Sequence, residues 1–230
     1  MKNIWKYISY FFYVAINWTP WLAFFVLYHD IRGAIKYGIT TFVPVSLRNL
    51  TIVNGDTSQA SRYEAANYYL IEKLFTEFRK LSKADSLIDL GCGKGRVLAV
   101  AAHFGFKNIT GIDFATELCK EASANMKKVH QKFPQLRWEI INDNVANYNI
   151  SPTDSVFFMF NPFTDEIIEK FLEKLENSCR QFPRTIWFLY ASPLHKKILL
   201  SRGHEIVFQK QILNLKGIIL KRNQQEKITG

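Results

Sequence analysis

The sequence predicts an α/β fold: a doubly wound, mostly parallel, Rossmann-like sheet of seven strands, preceded by an aromatic-rich helical extension. Three observations predict it. From residue 86 onward, short apolar runs of strand type alternate with helical patterns, the arrangement of parallel strands joined by helical crossovers. A glycine-rich loop joins the first such run to the first helical pattern, at the end of the sheet where these folds bind ligands. The first 57 residues lack the alternation and hold a concentration of aromatic side chains. The expected organisation is therefore an extension over 1–57 and an α/β domain over 58–230.

Within the extension, Tyr7 to His29 carries no formal charge. Lys2, Lys6, Ser9, Tyr13 and Asn17 recur at helical spacing, opposite Ile4, Trp5, Ile8, Phe11, Phe12 and Ala15, which predicts an amphipathic helix over 3–17. Thr19-Pro20 reads as an N-cap followed by proline at the first helical position, so a second helix starts there. Each helix is short for a bilayer of roughly 30 Å at 1.5 Å rise per residue. Three placements follow: docking on the chain's own domain or a partner, lying on a membrane surface, or a single span. No small-residue cleavage site follows the apolar stretch, so no cleavable signal peptide is expected.

Residues 38–57 read as a loop with a turn at Asn54-Gly55-Asp56. A helix is expected over 59–82, from Tyr63, Ala66, Leu70, Leu74, Phe78 and Leu81. Strands are expected at 86–90, 108–112, 136–141, 154–160, 185–191 and 205–210, with 212–221 pairing back as a hairpin. Helices are expected at 94–104, 115–132, 164–180 and 193–201.

The net charge is +10, spread as +3, +3 and +4 over residues 1–57, 58–150 and 151–230. A nucleic-acid footprint would cluster on one face, so the even spread disfavours that partner while remaining compatible with an anionic surface. Three scattered cysteines exclude a disulfide framework and a zinc site, and point to a reducing, cytoplasmic setting. The five histidines show no metal spacing, so no metal is expected.

The run Asp89-Leu90-Gly91-Cys92-Gly93-Lys94-Gly95-Arg96 closes a strand and opens a helix. Its glycines permit positive φ and close backbone approach, and the helix N-terminus favours anionic groups. The register fails a dinucleotide fingerprint, because the third position is Arg96 or Leu98, and fails a phosphate loop, because Gly95 follows Gly93-Lys94. The acidic-x-Gly-x-Gly-x-Gly pattern that remains resembles the first motif of class I S-adenosylmethionine-dependent methyltransferases. In element order the resemblance covers residues 86–222, and the whole chain looks like an uncharacterised bacterial branch of them.

The resemblance implies the cofactor S-adenosyl-L-methionine and a set of contacts. Asp89, Leu90, Gly91, Cys92, Gly93 and Gly95 would form the loop beneath it. Asp113, 20 residues after Gly93 and followed by Phe114, would accept from both ribose hydroxyls. Asp143 would contact the adenine amino group, with Asn144 or Val145 offering a backbone N–H to the ring. Asn161-Pro162-Phe163 resembles the Asn/Asp-Pro-Pro-aromatic motif of enzymes that methylate nitrogen, less its second proline. There Asn161 and the proline carbonyl would accept from the target NH2, and Phe163 would stack on a flat group. The stretch 61–69 is similar to the segment preceding the glycine strand in the non-SET histone lysine methyltransferase family. Tyr63 and Glu64 are carried over from it as residues closing on the cofactor, although here Glu follows Tyr directly.

The expected activity is methyl transfer from S-adenosylmethionine to a nitrogen of a protein or small-molecule amine. A free lysine amine is neutral in only about one molecule in 2,500 at pH 7, so it would need desolvation or a base. The competing readings are a cofactor-binding membrane or complex component without turnover, and a nucleic-acid N-methyltransferase. An anionic membrane surface is an expected partner through residues 1–30, giving a peripheral place on the inner membrane. The oligomeric state is left open.

Overall fold

The computed structural model describes residues 4–17, 19–42, 45–46, 50–54, 62–160 and 163–224. The two N-terminal helices are α1 (Ile4–Asn17) and α2 (Pro20–Tyr37). The break between them is where the sequence places it: the Thr19 side chain accepts from Leu22 N at 3.1 Å, and Pro20 opens α2. α2 ends in a left-handed Gly38 whose N–H reaches Ala34 O. No helix among the described residues is long and apolar enough to cross a membrane.

Strands β1 (Val45–Ser46) and β2 (Arg62–Tyr63) pair antiparallel. This corrects the helix expected over 59–82. Residues 62–63 are extended, and α3 spans only Tyr68–Leu81. The Asn67 side-chain oxygen accepts from Tyr69 N at 2.9 Å, which caps the helix there, so the apolar spacing upstream of it is coincidental.

The main sheet comprises β3 (Ser86–Leu90), β4 (Asn108–Asp113), β5 (Arg137–Asn142), β6 (Val156–Phe160), β7 (Ile186–Ala191), β8 (Glu205–Ile212) and β9 (Leu215–Arg222). Its order is β5-β4-β3-β6-β7-β9-β8, with the first five parallel and β9 antiparallel to both neighbours. The crossovers are α4 (Arg96–His103), α5 (Thr116–Lys132), α6 (Asp165–Gln181) and α7 (Lys196–Ser201). Central strands read as continuous apolar runs because both faces are covered. Alternate residues separate into two cores: Phe158, Trp187 and Leu189 with α3 and α4, and Phe157, Phe188 and Tyr190 with α6. β3 and β6 are adjacent (Leu90 opposite Met159), yet β4 and β5 lie on the other side of β3. The chain reverses direction across the sheet between β3 and β6, and a crevice opens there.

The extension docks on this domain. Gly33 lets α2 meet α3 closely, since a Cβ there would lie 2.3 Å from the Tyr68 ring. Tyr37 stacks on Tyr68 with centroids 5.4 Å apart, and Arg32, Lys36 and Tyr37 all donate to the Glu72 carboxylate.

Candidate functional site

The glycine loop stands at the carboxyl end of β3. Gly91, Gly93 and Gly95 have φ of 80°, 51° and 79°, a region where a side chain would be strained. The N–H groups of Gly91 and Cys92 both reach Ile112 O at 2.9 Å, which ties the loop to β4. Gly93 N then donates to Asp113 Oδ2 at 2.8 Å, and Ala115 N donates to Asp113 Oδ1 at 2.9 Å. A carboxylate offers about four acceptor positions, so two remain for hydroxyl donors. Burial pushes the Asp113 carboxyl up to about 6 against the pull of those two N–H groups.

Asp89 is 2% exposed and its Oδ2 has no hydrogen-bond partner. Burial, then the nearby Asp113 carboxylate, pushes its carboxyl well above the usual range. Asn67 carries the complementary atom: its Oδ1 caps α3, while its Nδ2 is buried with nothing to donate to. An unmet acceptor and an unmet donor of this kind are costly unless a ligand meets them. Cys92 and Cys119 are buried free thiols; burial raises both, Cys119 to about 12, so neither is an ionised nucleophile.

After β5 the Asp143 Oδ1 gathers Asn144 N at 2.6 Å, Asn147 Nδ2 at 2.9 Å and Asn54 Nδ2 at 3.0 Å. The Asn54 and Asn147 amides hold its carboxyl below the ordinary carboxylate range. Of the two backbone N–H groups expected to meet the ring, that of Asn144 is turned onto Asp143. Asn54 was not singled out in the sequence beyond its turn. Residues 51–54 lie along the start of α5, with Val53 N on Phe114 O, Thr116 N on Thr51 O and Thr51 N on Glu117. They thus wall one side of the crevice.

Asn161 and Pro162 lie outside the described residues, as does the Tyr63 side chain. Phe163 is described. It is half-buried and packs against the second core.

Arg96, like Asn54 and Asn67, is a residue the sequence did not single out as part of the site. It opens α4 directly after the loop, is 3% exposed, and lies over the Tyr68 ring at 4.2 Å. It donates to Asp30 Oδ1 at 2.6 Å, Thr41 Oγ1 at 2.7 Å and Ala66 O at 2.9 Å. The available signal was Asp30, the single acidic residue among the first 55. Beside this pair a cavity of about 180 Å³ runs beneath the helix pair. Tyr10, Val14, Leu22 and Val26 form its roof, and Glu64, Asn67, Phe160, Ser192 and Leu215 stand opposite. Glu64 is exposed at it, next to the carboxyl ends of β6 and β7.

The glycine loop and the carboxylates Asp89, Asp113 and Asp143 fall within residues 87–181, and those residues, less than half of the chain, match the family model described as a methyltransferase domain. Over that segment the chain is similar to methyltransferase domains. Over 99 residues it is 32% identical to a protein-lysine N-methyltransferase of Saccharolobus islandicus (strain REY15A), covering 43% of this chain and 60% of that protein's length. Solved structures agree in fold. A ribosomal-protein methylase from Lactobacillus delbrueckii subsp. bulgaricus superimposes with TM-score 0.52 at 16% identity, covering 70% of this chain and 81% of that one. An S-adenosylmethionine-dependent methyltransferase from Aquifex aeolicus gives 0.50 at 19%, covering 66% and 88%.

S-adenosylmethionine is the methyl donor of this class, and the residues present fit it. Asp113 keeps acceptor capacity for ribose hydroxyls. The three donors on Asp143 all converge on Oδ1, leaving Oδ2 for an amino group. The orphaned Asp89 Oδ2 and Asn67 Nδ2 match, in polarity, the ammonium and carboxylate of an amino-acid tail.

Proposed function

We propose that this methyltransferase domain acts on an amine nitrogen of a protein, a lysine side chain or an N-terminus. The observation that carries the reading is the cavity beneath α1 and α2. It presents a carboxylate, Glu64, beside an apolar wall of Val14, Leu22, Val26, Leu70 and Leu215. A carboxylate draws an ammonium group in, the apolar wall lowers that group's pKa against the carboxylate's pull, and the Glu64 carboxylate accepts the proton so that the nitrogen is neutral at attack. The protein-lysine relative supports the same acceptor class. Bound in the crevice, S-adenosylmethionine supplies a methyl group already activated on a sulfonium. The chain's part is then to orient, exclude water and deprotonate.

The test is incubation with methyl-tritiated S-adenosylmethionine and three acceptor pools: cell protein, small amines and RNA. Label in protein that hydrolyses to methyl-lysine or an N-methylated terminal residue supports the reading. Label confined to RNA, in line with the fold neighbour proposed as an RNA methyltransferase of Pyrococcus horikoshii, or confined to small amines, overturns it.

A further inference from the structure

Helices α1 and α2 bury one side each and leave the other bare. Val14, Leu22 and Ala23 pack inward, and Asp30, Gly33 and Tyr37 face the domain. Outward, Ile8, Phe12 and Ile16 recur every four residues on α1, at 41%, 57% and 80% exposure. Trp21, Phe24, Tyr28, Ile31 and Ile35 form the matching stripe on α2, with Trp21 and Ile35 both at 78%. Phe11 joins the stripes, meeting Phe12 edge-on at 5.6 Å and Phe24 at 4.8 Å. These eight side chains expose on the order of 1,000 Å², whereas the largest apolar patch of an ordinary monomer is roughly 300–600 Å².

Charge selects the occupant. No acidic residue precedes Asp30, and the Asp30 carboxylate is buried on Arg96. The other charges of residues 1–37 are Lys2, Lys6, Arg32 and Lys36, and the latter two share one acid, Glu72. The whole chain carries +10. A second copy would bring the same positive sign to the same face, and like charges oppose that pairing. Trp and Tyr rings, with an apolar body and a polar edge, suit the boundary between lipid and water. Since neither helix is long and apolar enough to span, the fitting geometry is a helix pair lying in the plane of the interface.

We propose that the outer face of α1 and α2 is a docking surface for an anionic lipid bilayer. The same helices roof the cavity with their inner faces, so docking holds the cavity at the membrane surface.

The test uses the full-length protein in flotation with vesicles of phosphatidylcholine alone and of phosphatidylcholine with 30% phosphatidylglycerol, alongside the variant Phe12→Gln/Trp21→Gln/Ile35→Gln. All three side chains are exposed, and an unchanged thermal melt establishes that the variant folds. The expected result is flotation with the anionic vesicles, weaker in high salt, and at least ~10-fold weaker for the variant, because each lost aromatic or aliphatic anchor removes buried apolar area. Failure of the wild-type protein to float, or equal flotation of the variant, overturns the proposal. A dimer in solution that the variant converts to monomer, with neither floating, also overturns it and assigns the face to a second copy.

Discussion

The Asp30–Arg96 pair offers the most direct test of how the extension and the glycine loop depend on each other. Both residues are almost wholly buried, at 4% and 3% exposure, and their charged atoms are 2.6 Å apart. Asp30→Asn keeps the shape and one acceptor but removes the negative charge that faces the buried guanidinium. Breaking such a pair costs about 3–5 kcal/mol. The lower end applies here, because Arg96 keeps Thr41 Oγ1 and Ala66 O as acceptors. For a chain of this size each kcal/mol lowers the melting temperature by about 2–4 °C, so a fall of about 6–12 °C is expected. Calorimetric melts at pH 7.5 measure it. Arg96→Met added to Asp30→Leu should recover much of the loss, since an apolar pair of similar volume avoids the desolvation penalty. An Asp30→Asn protein melting within about 2 °C of wild type would refute the reasoning.

Two further predictions concern the crevice. Asp113→Asn should weaken S-adenosylmethionine binding about 10–150-fold in a calorimetric titration, the equivalent of about 1.5–3 kcal/mol for a hydrogen bond to a charged acceptor. The Asp113 carboxyl is raised by burial to about 6, so its contribution to the stability of the ligand-free fold is present below about 3.8 and lost as pH rises through about 6. Ribose hydroxyls favour the charged form, so wild-type affinity should climb between about pH 5 and 7 while the Asn variant loses that step; a flat wild-type profile contradicts the assignment. Asn67→Asp keeps the oxygen that caps α3 but replaces the unmet donor with an acceptor. It should melt near wild type yet bind the cofactor at least ~10-fold more weakly, whereas Asn67→Ala also loses about 1 kcal/mol of capping. Undiminished binding by the Asp variant would remove Asn67 from the site.

Much of the domain was legible because its signals are local. Apolar runs such as Val156–Phe160 and Ile186–Ala191 declare strands covered on both faces, and the glycine spacing at 91, 93 and 95 declares a loop needing positive φ. The helix break at Thr19-Pro20 is equally local, a cap and a ring constraint within four residues. The start of α3 was misread because Tyr63 and Ala66 continue a helical spacing, while Asn67 ends it by one side-chain hydrogen bond.

The sequence by itself determined the order of strands and helices, the register of the glycine loop and the acidic positions after β4 and β5. Only the tertiary structure decided which apolar faces of α1 and α2 are covered, that Asp30 meets Arg96, that Phe163 packs against the second core, and that Asn54 reaches Asp143. Periodicity and spacing report what neighbouring residues impose on one another. Burial and ion pairing depend on partners dozens of residues away, 66 for Asp30 with Arg96 and 89 for Asn54 with Asp143, whose meeting follows only from packing helices onto the sheet.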